Sequence, residues 1–343
     1  MLLPRARGPI SVEVFARLLQ APPGVGTVPM PPGWPDHFED PLEDEDLQVT
    51  LWALYELHYK GFEDVEDEWE WDAGMLAVRR ELERSFEAAL RTLAEPHVRA
   101  VVGGKGDLAD RLFDLTEAFE GPELSAYLQR TATREQTEEF LALRSIYHLK
   151  ESDPQSWAIP RLQPAIKSRL VELQFDEYGG GRPERVHQAL YATTLERAGL
   201  DPAYGAYIDG VPAIVLATNN AMSLFGLHRR LNGAAMGHLG AFEATSSLPC
   251  VRYAAGLRRL GFGDDAAFYF DEHVEADAVH EQLALRGICA ALALDDPSQE
   301  ADIVFGAVIC LALDVRFAEQ LLGAWDSDAN LLGPEHDGVP VPA

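Results

Sequence analysis

The chain is 343 residues long, enough for about two domains of ordinary size. Its 28 Lys and Arg stand against 56 Asp and Glu, a formal net charge of −28, while 47% of its residues are hydrophobic. So acidic a surface repels phosphate backbones and anionic lipid headgroups, which argues against nucleic-acid and membrane-surface partners, and the apolar fraction is that of a chain with a sizeable core.

Residues 1–45 are rich in proline (Pro22-Pro23, Pro29-Met30-Pro31-Pro32, Pro35, Pro41) and are expected to form an irregular arm. Residues 46–132 read as an N-terminal helical extension. Leu47 to Tyr59 has the composition of a buried helix, Glu63 to Trp71 is an acidic, Trp-containing loop, and a second helix runs from Ala73 to Leu93. These helices carry more apolar surface than a short extension buries alone, so they are expected to cover the core or to form a homodimer interface. Gly103 to Asp107 (GGKGD) lacks the glycine spacing and the Ser/Thr after Lys of a phosphate loop and is read as a plain turn.

From Thr133 the pattern is helical nearly throughout. Thr133 and Gln136 form a capping-box signature ahead of Phe140, Leu143, Ile146 and Tyr147, which recur at helical spacing. Pro160 to Tyr178, Pro183 to Ala198, Pro212 to Leu227, Arg229 to Thr245, Leu248 to Leu260, Asp264 to Leu294 and Ser298 to Leu322 also read as helices, with Pro, Asp or Ser near most starts and Gly or Pro after many ends. Alternating strand patterns joined by hairpin turns are absent, so the expected class is all-α. Residues 133–325 are taken as the main helical domain and 326–343 as a flexible tail.

Ile303 to Leu313, the longest apolar run, is well short of the ~20 residues that span a bilayer. Cys250, Cys289 and Cys310 are too scattered for a disulfide framework and fall in apolar stretches, as expected of small core residues in a reducing cytoplasm. Met1-Leu2-Leu3-Pro4-Arg5 is not followed by an apolar segment, so a secretory signal is not expected.

The chemistry concentrates in Tyr269 to His280 (YFDEHVEADAVH). At about 100° per residue, Asp277 lies ~40° to one side of His273 and His280 ~20° to the other, so two imidazoles and a carboxylate share one helical stripe. The helix continues into Leu283, Leu285, Ile288 and Leu292 and so enters the core, where ionisable groups must be paired or bind metal. His187 follows the Gly179-Gly180-Gly181 break, Glu177 stands just before it, Glu243 closes one helix and Glu151 another. Taken singly, each has a plain explanation: solvated helix-end acids for Glu151 and Glu177, a capping group for His187, an arginine partner for Glu243. Together they offer four carboxylates and three imidazoles without a thiolate, a set that suits iron or manganese. Four carboxylates also balance two divalent ions, whereas a single 2-His-1-carboxylate site would leave acids unexplained.

These residues resemble the heme-oxygenase-like diiron oxidases and oxygenases. The last metal-binding helix of that family carries His-x3-Asp-x2-His, matched by His273, Asp277 and His280, and the likeness extends to Glu151 in LKESDPQSWAIPRL, to Glu177 and His187 in DEYGGGRPERVH, and to Glu243 in GHLGAFEATSS. The resemblance implies a bundle of seven core helices without heme. It also implies two irons (Fe2+/Fe3+) held by Glu151, His187, Glu243, His273, Asp277 and His280, with Glu177 as a labile additional carboxylate. O2 is then the cosubstrate and an external reductant is needed. The likeness to N-oxygenating members is especially close, and the activity implied is N-oxygenation of a small amine, guanidine or amino-acid-like molecule in natural-product biosynthesis. Those members carry a cupin domain after the diiron domain, and reactions that depend on it are not expected here.

A rival assignment pairs Glu184 with His187 and Asp277 with His280 as in a ferritin-like carboxylate site. Glu177 is preferred, because Glu184 falls in a first helical turn started by Pro183, where the helix dipole already accounts for an acid. Other readings are an oxidative decarboxylase or C–C-cleaving oxidase on the same scaffold, or a metal-free acidic helical protein that binds a basic partner. Pocket candidates are Trp157, Tyr191, Asn219, Met222 and Phe225, with Arg258 and Arg259 as partners for a substrate carboxylate, and His148, one turn before Glu151, as a group that orients it.

Overall fold

The computed structural model describes residues 1–22 and 37–333 and, for residues 275–279, the backbone alone. Among the described residues the ordered elements are helices: α1 (Pro9–Leu18), α2 (Glu45–Glu56), α3 (Ala73–Val101), α4 (Leu108–Ala118), α5 (Leu124–Arg130), α6 (Arg134–His148), α7 (Asp153–Ser156), α8 (Pro164–Glu177), α9 (His187–Ala198), α10 (Ala213–Leu227), α11 (Asn232–Arg259), α12 (Asp264–Gln282), α13 (Ala291–Asp295) and α14 (Glu300–Asp326). A π-helical segment, Leu283–Ala290, joins α12 to α13. The chain is all-α, as its sequence predicts. No described helix is long and apolar enough to cross a membrane.

Local chemistry sets the boundaries. The Thr133 side chain accepts from the Gln136 backbone at 3.2 Å and the Thr133 N–H donates to Gln136 Oε1 at 3.0 Å, closing the capping box that starts α6. Asp44 and Asp72 accept from Leu47 and Met75 at the starts of α2 and α3, both at 2.8 Å. Gly199, at φ 81°, ends α9. Gly103–Asp107 is the turn its composition suggests, with Gly103 and Gly106 at positive φ.

α11 is the central helix. It packs against α12, α14, α5 and the π segment, while α12 packs on α9, α8 on the π segment and α3 on α14. Its course differs from expectation, because Arg229 to Thr245 and Leu248 to Leu260 belong to one helix that runs through Pro249. The proline removes one hydrogen bond without ending the helix. The expected single helix from Asp264 to Leu294 is interrupted by the π segment, a change of hydrogen-bond register that periodicity does not reveal.

The N-terminal region is closely joined to the rest. Every α2 residue from Leu47 to Glu56 is buried, and α2 packs against α10, a helix buried nearly all round. The apolar surface that suggested a dimer is therefore covered within one chain. Residues 9–18, expected to be irregular, form α1. Its amphipathic face is short, but α2 supplies its cap, since Asp46 accepts from the Ile10 and Ser11 N–H groups at 2.8 and 2.7 Å. Residues 23–36 of the arm and 334–343 of the tail lie outside the described residues, while the preceding tail is docked, with the Leu332 N–H on Glu139 at 2.7 Å and the Gly333 N–H on the Gly210 carbonyl at 2.9 Å.

Candidate metal centre

Four helices and one turn deliver the candidate side chains to a common point. Glu151 sits in the turn between α6 and α7, three residues past the end of α6 rather than at its terminus. Glu177 is the last residue of α8 and His187 the first of α9. Between them Gly179, Gly180 and Gly181 all adopt positive φ, and a Cβ on Gly179 would lie 2.6 Å from the backbone of Arg185 and Val186. That reversal brings His187 Nδ1 to 3.0 Å from Glu177 Oε2. Glu243 lies within α11, and His273 and His280 project from α12.

Two groups result, and they share a residue. Donor atoms of Glu151, Glu177, His187 and His273 all lie within 4.8 Å of one another, as do those of Glu177, Glu243 and His280. Glu177 faces both: its Oε2 is beside His187, while its Oε1 is 3.9 Å from His280 Nδ1. Glu243 Oε2 is 3.5 Å from His280 Nδ1, and Glu151 Oε1 is 3.7 Å from His273 Nε2. All six are 5% exposed or less. Glu184 is exposed in a 3-10 turn and joins neither group. The Asp277 side chain lies outside the described residues.

Surrounding groups decide which imidazole nitrogen faces inward. His273 Nδ1 lies 2.8 Å from the Tyr269 carbonyl, which only accepts, so that nitrogen carries the proton and Nε2 is presented to Glu151. His280 Nε2 donates to Asp176 Oδ2 at 3.2 Å and presents Nδ1 to Glu177 and Glu243. The Tyr269 hydroxyl donates to both Glu151 oxygens at 2.8 and 3.0 Å, and His148 Nδ1 lies 2.7 Å from that hydroxyl. The Ser152 hydroxyl donates to Glu177 Oε2 at 3.0 Å. Of these, the reading of the sequence singled out only His148. Tyr269, Ser152 and Asp176 are apparent once the chain is folded, because each acts across an interval from Ser152 to Glu177 or longer.

The electrostatics of the cluster call for positive charge. Burial raises the Glu151 carboxyl, but the imidazoles of His148 and His273, 3.6 and 3.7 Å away, outweigh it and hold the group well below its ordinary range. Burial likewise opposes ionisation of Glu177, and His187 reverses it. Burial disfavours the charged form of both His187 and His280, yet Glu177 raises the first, and Glu243 with Asp176 and Glu177 raises the second to about 9. His187 Nδ1 and His280 Nδ1 face carboxylate oxygens without hydrogen-bond alignment. These buried imidazoles hold protons against ionised carboxylates; a metal ion on the same nitrogens and oxygens would supply that positive charge instead, and carboxylate with imidazole and no thiolate suits iron.

Among the other candidates, Tyr191 packs its ring on His148 and Tyr269, with centroids 4.5 and 4.9 Å apart, while its hydroxyl donates to the Leu141 carbonyl at 2.8 Å. Arg258 pairs with Asp264 and Asp271, and Arg259 binds the carbonyls of Leu128, Gln129 and Ala132, so both are engaged by the protein itself. Gln174, one turn before Glu177 on α8, was not anticipated: it is buried, and neither side-chain amide atom has a hydrogen-bond partner among the described residues.

A comparison with curated proteins returns no match. The sequence profile of the iron-containing redox enzymes matches residues 138–315, more than half of the chain and the stretch that holds all the clustered carboxylates and imidazoles. The chain therefore belongs to that heme-oxygenase-like family of iron-containing redox enzymes and is an oxidoreductase.

Proposed function

We propose that this protein is a non-heme diiron enzyme that uses O2 to oxidise a small amine, guanidine or amino-acid-like substrate, by N-oxygenation, in the biosynthesis of a natural product. The observation that carries the reading is the Glu177 carboxylate, whose two oxygens face two separate buried donor groups. Glu151, Glu177, His187 and His273 would hold one iron; Glu177, Glu243 and His280 would hold the other, with Asp277 joining them by its place in the His-x3-Asp-x2-His spacing. Bound there, ferrous iron supplies the electrons that activate O2, and an external reductant restores it.

The side chains around the irons have separate tasks. Tyr269 and Ser152 orient Glu151 and Glu177 through their hydroxyls, and Asp176 fixes the ring of His280. The Tyr269 phenol is held protonated, since burial raises it well above its ordinary range and Glu151 adds to the effect, so it remains a donor. Gln174 offers a buried amide with donor and acceptor both unmet among the described residues, which matches a nitrogen-bearing polar substrate better than a fatty chain. Residues 133–325 form the catalytic part in this reading, and three buried cysteines without a disulfide suit a reducing cytoplasm.

Anaerobic reconstitution with Fe(II) tests the proposal. The expected result is two irons per chain and O2 consumption stimulated by an amine, guanidine or amino acid. Stimulation by fatty acids alone would move the assignment to an oxidative decarboxylase. Uptake of one iron or none, or indifference to all these substrates, would sink it.

A further inference from the structure

Ser152 lies in the left-handed region at φ 69° and ψ −17°, beside Glu151 and 5% exposed. That conformation is disfavoured for any residue with a Cβ and is ordinarily left to glycine or asparagine. Serine at a helix start usually earns its place as a cap, yet here its side chain makes no capping bond to α7. The hydroxyl instead donates to Glu177 Oε2 at 3.0 Å, the oxygen that also faces His187. The turn is braced on either side of this contact. Lys150 is pinned to Glu56 of α2 at 3.0 Å, and the Gln188 amide donates to the Glu151 carbonyl at 2.9 Å. A strained backbone held by its surroundings, with its side chain on the carboxylate shared by both donor groups, marks a functional constraint rather than a turn requirement.

We propose that Ser152 is a positioning residue for the metal centre: its hydroxyl fixes the rotation of the Glu177 carboxylate, so that one oxygen faces the His187 group and the other the His280 group. The inference rests on the diiron reading of the site. Loss of the hydroxyl leaves the carboxylate to turn toward His187 alone and weakens the group completed by Glu243 and His280.

Ser152→Ala and Ser152→Gly separate this role from a structural one. Both remove the hydroxyl, while only the glycine relieves the backbone. In the metal-free protein Ser152→Gly is expected to melt at a higher temperature than Ser152→Ala, and a double-mutant cycle with Glu177→Gln is expected to show coupling of about tenfold in the unfolding constant. In anaerobic Fe(II) titrations under chelator competition, counted per folded chain, both variants are expected to keep one iron and bind the second about 10- to 100-fold more weakly. Two irons at wild-type affinity in both variants would overturn the proposal, as would absence of the Ser152–Glu177 coupling. An unaltered chain that takes up no iron, with the coupling intact, would refute the diiron reading and with it this role, leaving the pairing itself established.

Discussion

His238 shows what burial does to an imidazole that no carboxylate faces. It is 3% exposed in α11, and neither ring nitrogen has a hydrogen-bond partner among the described residues. Burial alone pushes it down to about 4, whereas His280, beside Glu243 and Glu177, is pushed up to about 9. The two differ in neighbours, not in depth. The consequence for stability has a definite sign. Above pH 6.5 the residue is neutral whether the chain is folded or not. As pH falls from 6.5 toward 4, the unfolded chain takes a proton that the folded chain refuses, and about 3 kcal/mol of stability is lost. Below about 4 the loss levels off. His238→Leu should therefore flatten the dependence between pH 4 and 6.5 by about that amount in the metal-free protein, measured by denaturant unfolding at a series of pH values. A variant that follows the wild-type slope would show that His238 finds a partner for its proton.

Where α11 crosses α14 the two backbones touch, and the packing depends on a pair of glycines. A Cβ on Gly306 would lie 1.9 Å from the Ala234 carbonyl oxygen, and one on Gly237 would lie 1.8 Å from that of Ile303. Gly306→Ala must push the helices apart and should cost about 3 kcal/mol. Gly323, further along α14, has nothing within 4 Å of its Cβ position and is exposed, so Gly323→Ala should stabilise by about 1 kcal/mol. One substitution in one helix thus has opposite signs at two positions, and unfolding midpoints of the two variants decide the matter. Equal shifts would mean that the helices do not approach as described. The same scale explains what could be read in advance. α6 was legible because its cap and its apolar stripe are local, and Glu177 with His187 because three glycines announce a reversal between them. The continuity of α11 through Pro249 and the π segment after α12 were hidden, since both are imposed by neighbours distant in sequence. Ser152 and Tyr269 were hidden for the same reason, each being an ordinary residue until its partner arrives.

At the scale of the whole molecule the N-terminal helices pack on α10 and α14 and pair with the turn that carries Glu151. Lys150 Nζ lies 3.0 Å from Glu56 Oε2, with both side chains almost wholly buried, and the Tyr204 hydroxyl donates to the same oxygen at 2.8 Å. Lys150 also sits 3.5 Å over the Tyr59 ring, so a residue adjoining Glu151 has its charge and its stem held by the region before residue 60. Arg7 donates to the Ile208 and Val211 carbonyls at 2.6 and 2.8 Å, tying the start of the chain to the entry of α10. Removing residues 1–132 would take away Glu56 and Tyr59 and bare α10 to water, so the ion pair of Lys150 is lost and, above all, apolar burial worth about 25 cal/mol per Å². Such a fragment, beginning at Thr133, should keep helical far-ultraviolet dichroism, lose its near-ultraviolet signal and bind a hydrophobic dye, while the full chain melts in a single transition. A fragment that unfolds cooperatively near the melting temperature of the full chain would show that residues 133–325 stand alone and that the buried Lys150–Glu56 pair is a docking contact between independent units.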